Sequence, residues 1–325
     1  MIIMTTTTKK KNNTLFIGCV LVLIGCIVLT LTVFQNHTVS IENESDTDYH
    51  HVIYKNQKYK YDTQIINILC MGIDSTKDQT GQADALQLYS LNRRDKTITV
   101  LSINRDTMTP IHLYDVSHNS LGWKKQHLAL SYAYGANAKN GALLTCEAVS
   151  KMLFQIPVNK FIAIDLDQLD QIQDVVGSLS VVVPNNSLVD VNPLWIKGNT
   201  ITINQDNVED FLRSRDTNIQ DSNVDRMERQ RTYLNAYYQQ LKEDLQTNKD
   251  EVMDKVYSAF DTLTNNITMD EISAYVKMFE TYTYEDSKSY YELPGISQEG
   301  DMHDEFILNK KALKNLVLDL YYRKD

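Results

Sequence analysis

Short apolar runs alternate along this chain with segments in which apolar residues recur every three or four positions. The runs are nearly continuous in apolar residues, which is typical of strands covered on both faces. They are predicted to be strands at 66–73, 85–92, 96–103, 160–166, 178–183 and 289–295. A polar, turn-like tetrapeptide separates the second run from the third, and this pair therefore indicates a β-hairpin.

The segments with helical spacing lie between and after these runs. They are predicted to be helices at 124–135, 139–155, 167–177, 205–215, 224–244, 249–264, 269–281 and 308–322. The second helix is predicted to end before Pro157, because proline breaks a helix interior. Gly177 is placed as the C-cap of the third helix. Strands that alternate with helices and include a hairpin predict an α/β fold, a layered α-β-α domain with a central mixed sheet.

The N-terminal region contains the longest apolar run. Residues 15–34 are 20 residues without a charge, and as a helix they span roughly 30 Å, the thickness of the hydrocarbon core of a bilayer. The alternative is a cleaved signal peptide, whose apolar core has about 7–15 residues and ends in a small-residue cleavage site. The longer run without an Ala-x-Ala pattern favours an uncleaved transmembrane helix that precedes the α/β domain.

Charges flanking the apolar run predict its orientation. Lys9, Lys10 and Lys11 precede it and acidic residues follow it, so the positive-inside rule places the N-terminus in the cytoplasm. The predicted organisation is a cytoplasmic tail (1–14), a transmembrane helix (15–34), an extracytoplasmic stalk (35–60) and an extracytoplasmic domain (61–325). No Pro-, Gly- or Ser-rich linker divides the last range, which is therefore predicted to be a single domain.

Composition narrows the class of partner. The chain has 325 residues and a net charge of −10, which argues against the basic surface of a nucleic-acid-binding protein. Two of its four cysteines, Cys19 and Cys26, lie in the predicted membrane helix. Cys70 and Cys146 lie in apolar segments as small core residues, and a disulfide between them is open, because nothing in their spacing demands one.

Charged residues interrupt the apolar pattern where predicted strands begin or end. Asp74 follows the first strand, Asp84 precedes the second, and the pair Arg105-Asp106 follows the third. An α/β sheet has its ligand crevice at such strand ends. Taken singly, each residue is also explained by a turn cap or by an ion pair at the rim of the sheet.

Arginines are concentrated in one segment. Five of the nine arginines fall within 19 residues: Arg213, Arg215, Arg226, Arg229 and Arg231. Guanidinium groups match phosphate oxygens in bidentate geometry, and carboxylates hold Mg²⁺ through oxygen. The carboxylates and arginines together are the groups that a site for Mg²⁺ and a pyrophosphate needs, although a solvated helix face explains the 226–231 run equally well on its own. Arg226, Arg229 and Gln230 share one face of the predicted long helix.

Seven blocks in this order carry a resemblance to a known family: CMGIDST, QADALQLYSLN, VLSINRDTM, LALSYAYG, FIAIDLDQL, FLRSRD and DRMERQ. They resemble the LytR–CpsA–Psr family of bacterial cell-wall enzymes, with the strongest match over residues 65–245, followed by a helical C-terminal part at 246–325. The resemblance implies a membrane-anchored phosphotransferase, and a Gram-positive bacterium is the expected source. Its members move an anionic glycopolymer (teichoic acid, capsule or secondary wall polysaccharide) from a polyprenyl-pyrophosphate carrier to a muramic-acid hydroxyl of peptidoglycan.

The resemblance also implies roles for individual residues. Asp74 and Asp84 would hold Mg²⁺ or Mn²⁺, with Asp84, Arg105 and Asp106 in the catalytic set and Asp106 orienting Arg105 or acting as base, the former being favoured. The pyrophosphate would be bound by Arg105, Arg213, Arg215, Arg226, Arg229 and Gln230. An apolar tunnel for the lipid would be lined by residues 143–154 and 161–166.

Two other functions remain open at this stage. One is a non-catalytic protein that binds polyprenyl phosphate or glycopolymer, or regulates the envelope. The other is a polyprenyl-pyrophosphate pyrophosphatase that uses water in place of the sugar hydroxyl.

Overall fold

The computed structural model describes residues 51–75, 81–215, 222–300 and 303–325. The predicted cytoplasmic tail, the predicted membrane helix and residues 35–50 of the predicted stalk lie outside these ranges. None of the helices in the described ranges combines the length and the apolar character that a membrane-spanning segment needs.

Strands and helices alternate along the described chain. The strands are β1 His51–Tyr54, β2 Gln57–Tyr61, β3 Ile65–Ile73, β4 Ala83–Asn92, β5 Thr97–Ile103, β6 Met108–Tyr114, β7 Ser120–His127, β8 Lys160–Asp165, β9 Leu179–Val182, β10 Thr200–Ile203, β11 Thr264–Asn265, β12 Tyr290–Glu292, β13 Gly295–Gln298, β14 Glu305–Leu308 and β15 Tyr322–Lys324. The α-helices are α1 Leu130–Ala133, α2 Ala138–Met152, α3 Leu169–Val176, α4 Val208–Arg213, α5 Ser222–Thr247, α6 Lys249–Thr262, α7 Met269–Thr281, α8 Asp286–Ser289 and α9 Lys310–Tyr321.

A six-stranded mixed sheet lies at the centre, in the order β11-β8-β3-β4-β5-β12. The predicted hairpin is confirmed, because β4 pairs antiparallel with β5 from Leu86 opposite Ile103 to Asn92 opposite Thr97. β3 pairs antiparallel with β4 and parallel with β8, and β12 pairs parallel with β5. The carboxyl ends of β3, β5 and β8 therefore meet the amino end of β4 at one edge.

Side chains of the sheet alternate between two hydrophobic clusters, one on each face. Ile68 and Cys70 of β3 pack in the first cluster, which also holds the buried residues of α3, α5, α6 and α7. Leu69 and Met71 pack in the second with buried residues of α1, α2 and α9. Both faces of β3 are covered, which explains its nearly continuous apolar sequence. The predicted α/β class, with helices on both sides of a central mixed sheet, is confirmed.

The C-terminal part of the chain belongs to both layers. The buried residues of α6 and α7 extend the first cluster, while α9 completes the second. β12 adds a parallel edge strand next to β5. The helical prediction for 249–264 and 269–281 is thus confirmed to within two residues, and residues 246–325 are integral to the packing.

The predicted stalk extends too far towards the domain. Residues 51–60, assigned to the stalk, form β1 and most of β2, and β2 pairs with β15 near the C-terminus. More and less exposed residues alternate along β2. One of its partner strands, β15, lies more than 260 residues away in sequence. Arg323 of β15 also contacts the buried carboxylate of Asp62.

The predicted helix at 124–135 is wrong over its first four residues. Residues 124–127 belong to β7, which pairs with β6 in a hairpin that the apolar pattern did not predict, and only Leu130–Ala133 is helical. Pairing with β6 satisfies the backbone groups of this segment. Its few apolar residues are too closely spaced to separate strand from helix by periodicity.

Many side chains of the two segments predicted to line a lipid tunnel pack in the hydrophobic clusters. Residues of 143–154 and 161–166 that face the sheet are buried in the two clusters. A cavity of about 370 Å³ lies on the outer side of α2, where Leu143, Leu144 and Glu147 face Tyr114 and His118 of the β6–β7 hairpin. None of residues 161–166 lines this cavity.

Cys70 and Cys146 are free thiols that pack in different clusters. Burial raises the pKa of both thiols well above the ordinary range. Since the thiolate is the reactive form, both side chains are protected by burial and by protonation.

With Cys19 and Cys26 replaced by Ser, we expect neither remaining thiol to react with a disulfide reagent at pH 8 in the folded protein, and two equivalents to react in guanidinium chloride. Thiol titration by absorbance measures both numbers. Fast reaction of the folded protein contradicts the packing described here. If neither thiol reacts after unfolding in the absence of a reductant, Cys70 and Cys146 are joined in a disulfide.

Candidate active site

The charged residues singled out in the sequence converge at the edge where β3 and β5 end and β4 begins. Asp74 follows β3, and its backbone N–H donates to the carbonyl of Gln82, 3.1 Å away, which closes the loop between β3 and β4. At Gly81 a β-carbon would lie 2.4 Å from the carbonyl carbon of Asp74, so this close approach requires glycine.

Asp84 is directed into the site by a β-bulge. Gly72 pairs with Ala85 and Ile73 with Ala83, so Asp84 is the extra residue on β4. A bulge re-aims the side chain that it carries. The Asp84 side chain is completely buried, and its Oδ1 forms an ion pair with the guanidinium of Arg105. Within the described residues, neither carboxylate oxygen has a hydrogen-bond partner of normal geometry.

A tight turn at residues 104–107 presents Arg105 and Asp106 after β5. The carbonyl of Asn104 accepts the backbone N–H of Thr107 at 3.1 Å, and its side-chain Oδ1 accepts the backbone N–H of Asp106 at 2.9 Å. Asn is favoured at the first position of such turns for this reason. Phe306 of β14 donates its backbone N–H to the carbonyl of Asp106 at 2.9 Å and so braces the turn from the C-terminal part of the chain.

The guanidinium of Arg105 is held by three side chains. Its Nη1 contacts Asp84, its Nη2 donates to Oε1 of Gln82 at 2.9 Å, and its Nε lies 3.3 Å from Oδ1 of Asp106. The side chain keeps 11% exposure. Arg105 is therefore oriented by fixed partners while part of it still faces the opening.

Helix α5 brings Arg226 against the same carboxylate. Arg226 is 1% exposed, and its Nη2 donates to the backbone carbonyl of Asp84 at 3.3 Å and to Oδ1 of Asn223 at 2.7 Å. Asn223 in turn donates to the side chain of Asn104 at 3.1 Å. The start of α5 is thus tied to the turn that carries Arg105.

Arg213 and Arg215 approach from the end of α4. Arg213 is the last residue of the helix and pairs with Glu209 one turn earlier, whereas Ser214 is extended, so Arg215 lies beyond the helix. Arg213 interacts electrostatically with Asp74, and Arg215 with Asp106 and more weakly with Asp84. The extended backbone between the two arginines lets both face the carboxylates.

Burial dominates the electrostatics of this edge. It raises the pKa of Asp84 to about 6 against the opposing charges of Arg105 and Arg226, and it raises the pKa of Asp74. Burial also lowers the pKa of Arg226 to about 9. Four guanidinium groups lie with three carboxylates at this edge, and a fourth carboxylate, that of Glu209, pairs with Arg213; the guanidinium groups match the oxygens of an anionic ligand.

Of the sequence-predicted residues, Asp74, Asp84, Arg105, Asp106, Arg213, Arg215 and Arg226 are brought together at one edge. Gln230 is buried and lines a small cavity behind Asp84 and Arg105, and its amide donates to the carbonyl of Leu212 at 3.3 Å. It lines this cavity together with Asp84 and Arg105, and its role at the mouth of the site stays a prediction.

The prediction that Arg229 lines the mouth of the site is wrong. Arg229 is 0% exposed, its Nε donates to the carbonyl of Phe211 at 2.9 Å, and its two other nitrogens donate to the carbonyl of Ser214 and the hydroxyl of Ser187. These bonds satisfy the carbonyl groups at the end of α4. Arg229 therefore holds the segment that carries Arg213 and Arg215.

Four residues of the site were missed in the sequence. Gln82, Asn104 and Asn223 orient the arginines as described above, and their signal is only a polar residue one or two positions before a charged one at a strand or helix end. His127 ends β7, and its Nδ1 lies 3.8 Å from Oδ1 of Asp106. Its placement in a predicted helix concealed this approach.

Asp74 and Asp84 fit a divalent cation by their chemistry. Mg²⁺ is commonly held by one or two carboxylates together with substrate phosphates and water. The oxygens of Asp84 are buried without a normal hydrogen bond, and Asp74 is close enough to shift the pKa of Asp84 upwards. No group of three His, Cys, Asp or Glu suited to a metal occurs within the described ranges, so the other ligands would be phosphate oxygens and water.

We expect Asp84→Asn to stabilise the protein relative to wild type increasingly as pH rises. The folded-state pKa of about 6 exceeds the ordinary 3.8, so wild type loses stability as the pH passes through this window. The difference in unfolding free energy should grow by up to about 3 kcal/mol between pH 4 and 7 and then stay constant. Urea denaturation in EDTA at several pH values measures it.

Asp286→Asn is the matched control. Hydrogen bonds from Arg231, Asn235 and Tyr284 outweigh the effect of burial and lower the pKa of Asp286, so its variant should show no such increase between pH 4.5 and 7. A flat difference for Asp84→Asn as well contradicts the raised pKa of the buried Asp84 carboxyl.

Removal of Arg229 and removal of Arg213 should lower the unfolding free energy by different amounts. Arg229→Ala leaves buried carbonyl groups without donors, so we expect a loss of about 3 kcal/mol in unfolding free energy. Arg213→Ala removes a partly exposed pair with Glu209 and should cost about 1 kcal/mol or less. Urea denaturation compares them, and equal losses contradict the structural role of Arg229.

Comparison with known proteins agrees with this architecture. TagV of Bacillus subtilis, a polyisoprenyl-teichoic acid–peptidoglycan teichoic acid transferase, is 29% identical over 227 residues, which are 67% of this chain and 54% of TagV. TagU of Halalkalibacterium halodurans, described in the same way, is 32% identical over 116 residues, 35% of this chain and 34% of TagU. The chain thus spans about half or less of the length of these relatives.

Solved structures share the fold. The crystal structure of B. subtilis TagV matches with a TM-score of 0.60 and 24% identity over 79% of this chain and 97% of TagV. TagT bound to LI-WTA matches with a TM-score of 0.57 and 21% identity over 79% of this chain and 90% of TagT. The model of the LytR_cpsA_psr family matches residues 28–318. Because this match covers most of the sequence, the chain belongs to the LytR_cpsA_psr family.

Proposed function

We propose that this protein transfers an anionic glycopolymer from a polyprenyl-pyrophosphate carrier to a muramic-acid hydroxyl of peptidoglycan, in a reaction that depends on Mg²⁺ or Mn²⁺. The observation that carries the proposal is the convergence of Arg105, Arg215 and Arg226 on a buried carboxylate, Asp84, at the edge of the sheet, with Arg213 beside Asp74. Family membership and the teichoic acid transferases among the relatives support the substrate class.

The arginines bind the pyrophosphate in this proposal. Arg105 and Arg226 approach Asp84 from the sheet and from α5, and Arg213 and Arg215 approach from the end of α4. Guanidinium groups on several sides of one ligand fix its orientation as well as neutralise its charge. Because these groups are largely withdrawn from water, their attraction for phosphate is stronger than at an exposed surface.

Asp74 and Asp84 hold the cation. When bound, the cation neutralises charge on the phosphate oxygens and favours the ionised form of both carboxylates. Fixed residues supply the rest: Gln82 and Asp106 keep the Arg105 guanidinium aimed at the ligand, and Asn223 does the same for Arg226. In phosphoryl transfer, such positioning and charge stabilisation are the main contribution of a protein.

The predicted N-terminal membrane helix belongs to the same proposal. A single-pass anchor with the N-terminus inside would keep the domain at the outer surface of the cell membrane. The lipid end of the carrier would then remain in the bilayer while its pyrophosphate reaches the arginines.

We expect Arg105→Ala to lower ligation by about 10³-fold, because one guanidinium at a transferring phosphate contributes on this scale. Purified protein is incubated with polyprenyl-pyrophosphoryl glycan and a peptidoglycan acceptor, with Mg²⁺ or EDTA, and the ligated product is measured. EDTA should abolish ligation.

Arg231→Ala is the matched control. It removes an arginine from the same helix as Arg226, but its guanidinium pairs with Asp286 away from the site. This variant should ligate like wild type. Phosphate release without ligation by wild type supports a pyrophosphatase, and binding of unaltered lipid supports a non-catalytic carrier-binding protein; either outcome contradicts the proposal. Normal ligation by Arg105→Ala contradicts the site assignment.

A further inference from the structure

The structure points to His127 as a catalytic residue that accepts the proton of the attacking hydroxyl, with Asp106 as the positioning residue for its ring. We infer this from the place of His127 beside the arginine cluster. The inference rests on the proposed function, because it assigns a role within that transfer reaction.

Backbone contacts fix His127 next to the turn that carries Arg105. His127 is opposite Met108 in the β6–β7 ladder, and the next residue, Leu128, donates its N–H to the carbonyl of Thr107 at 2.9 Å. These two consecutive backbone contacts leave the Cα and Cβ atoms of His127 little freedom to move. The imidazole therefore stays at the same edge of the site as the Arg105 guanidinium.

The side chains of His127 and Asp106 form a pair at the opening. Nδ1 of His127 lies 3.8 Å from Oδ1 of Asp106, and the same oxygen lies 3.3 Å from Nε of Arg105. Each side chain of the pair is 16% exposed, so both remain accessible from the opening. The separation is longer than a hydrogen bond, and catalytic contacts of this kind commonly tighten when substrate binds.

The ring nitrogen opposite Nδ1 is available for the substrate. Within the described residues, neither nitrogen of the His127 ring forms a hydrogen bond of normal geometry, and the nearest ring is that of His303, 6.3 Å away between centroids. When Nδ1 turns towards Asp106, Nε2 points away from that carboxylate. A base oriented by a carboxylate and facing the reacting group is the arrangement that activates weak hydroxyl nucleophiles.

The charges around His127 favour its neutral form. Burial lowers the pKa of His127, the neighbouring Arg105 and His303 lower it further, and the carboxylates of Asp106 and Glu305 oppose them. The net direction is downwards, so the ring is unprotonated at neutral pH. Only this form accepts a proton.

The division of roles follows from the contacts. Oδ1 of Asp106 already faces both Arg105 and His127, which suits it to orient two groups. Among the described residues, the imidazole of His127 forms an ion pair with Asp106 alone. Asp106 thus acts through its neighbours, in keeping with the orienting role preferred for it from the sequence.

The transfer step balances with this base. The O–H bond of the acceptor hydroxyl breaks and its proton passes to Nε2 of His127. The oxygen forms a new P–O bond to the sugar-linked phosphorus, and the P–O bond to the leaving polyprenyl phosphate breaks with its electron pair on that phosphate. The imidazolium then returns its proton to the leaving group or to water.

The test compares His127→Ala with His303→Gln in the ligation assay. His303 adjoins His127, with 6.3 Å between ring centroids, but forms no ion pair with Asp106 among the described residues, so its variant should keep wild-type ligation. We expect His127→Ala to lower kcat for ligation by about 10²–10³-fold, the usual contribution of a general base, with KM for the carrier changed less than threefold. Added imidazole should restore part of the activity of His127→Ala.

The pH profile separates a base from a merely structural residue. Ligation by wild type should rise with pH as the His127 ring loses its proton. His127→Ala should lack this rise, so the logarithmic slope of its acid limb should be lower by about one unit.

Each outcome identifies what fails. Ligation by His127→Ala within threefold of wild type overturns the inference, and so does a lowered kcat with an unchanged pH profile and no rescue by imidazole. Both leave the proposed function intact. Wild type that binds carrier but forms no ligated product overturns the proposed function, and this inference with it.

Discussion

The withdrawal of charge from water at one edge of the sheet is the constraint on which this site depends. Asp84 and Arg226 are almost completely buried, and burial disfavours the charged form of each. Neither group is replaced by an apolar one, so the fold retains an arrangement of charges that is poorly solvated. The proposed pyrophosphate ligand would offset this poor solvation, which relates the cost of burying these charges to the proposed binding.

Uncharged side chains keep this arrangement in place. Asn104 closes the turn after β5 and accepts a bond from Asn223, which accepts one from Arg226. A short chain of amide contacts therefore couples the end of a strand to the start of a helix. Arg229 serves the same purpose on the other side, since its donors are consumed by carbonyl groups at the end of α4. The arginines therefore fall into two groups, those proposed to bind the ligand and those that support the structure.

The sequence predicted the parts whose pattern is local and strong. β3, the β4–β5 hairpin, α2 and α5 carry long periodic or continuous apolar runs, and charged residues at their ends indicated Asp84 and Arg105. The remaining features depend on distant partners. The β-bulge at Asp84 arises from pairing with β3, and β2 is recognisable only beside β15. Helical spacing placed Arg226 and Arg229 on one face, but both are buried, and the neighbouring carbonyl groups decide that only Arg226 lies beside Asp84.

The contact between Phe306 and Asp106 joins positions 200 residues apart, and it completes the turn that carries the principal arginine. Contacts of such long range form late and slowly, because the intervening chain must first be ordered. Synthesis proceeds from the N-terminus, so the turn lacks this brace until residue 306 has been made. A chain synthesised only as far as β12 contains the strands of the central sheet and the arginines of the proposed site, yet the turn that carries Arg105 is not braced.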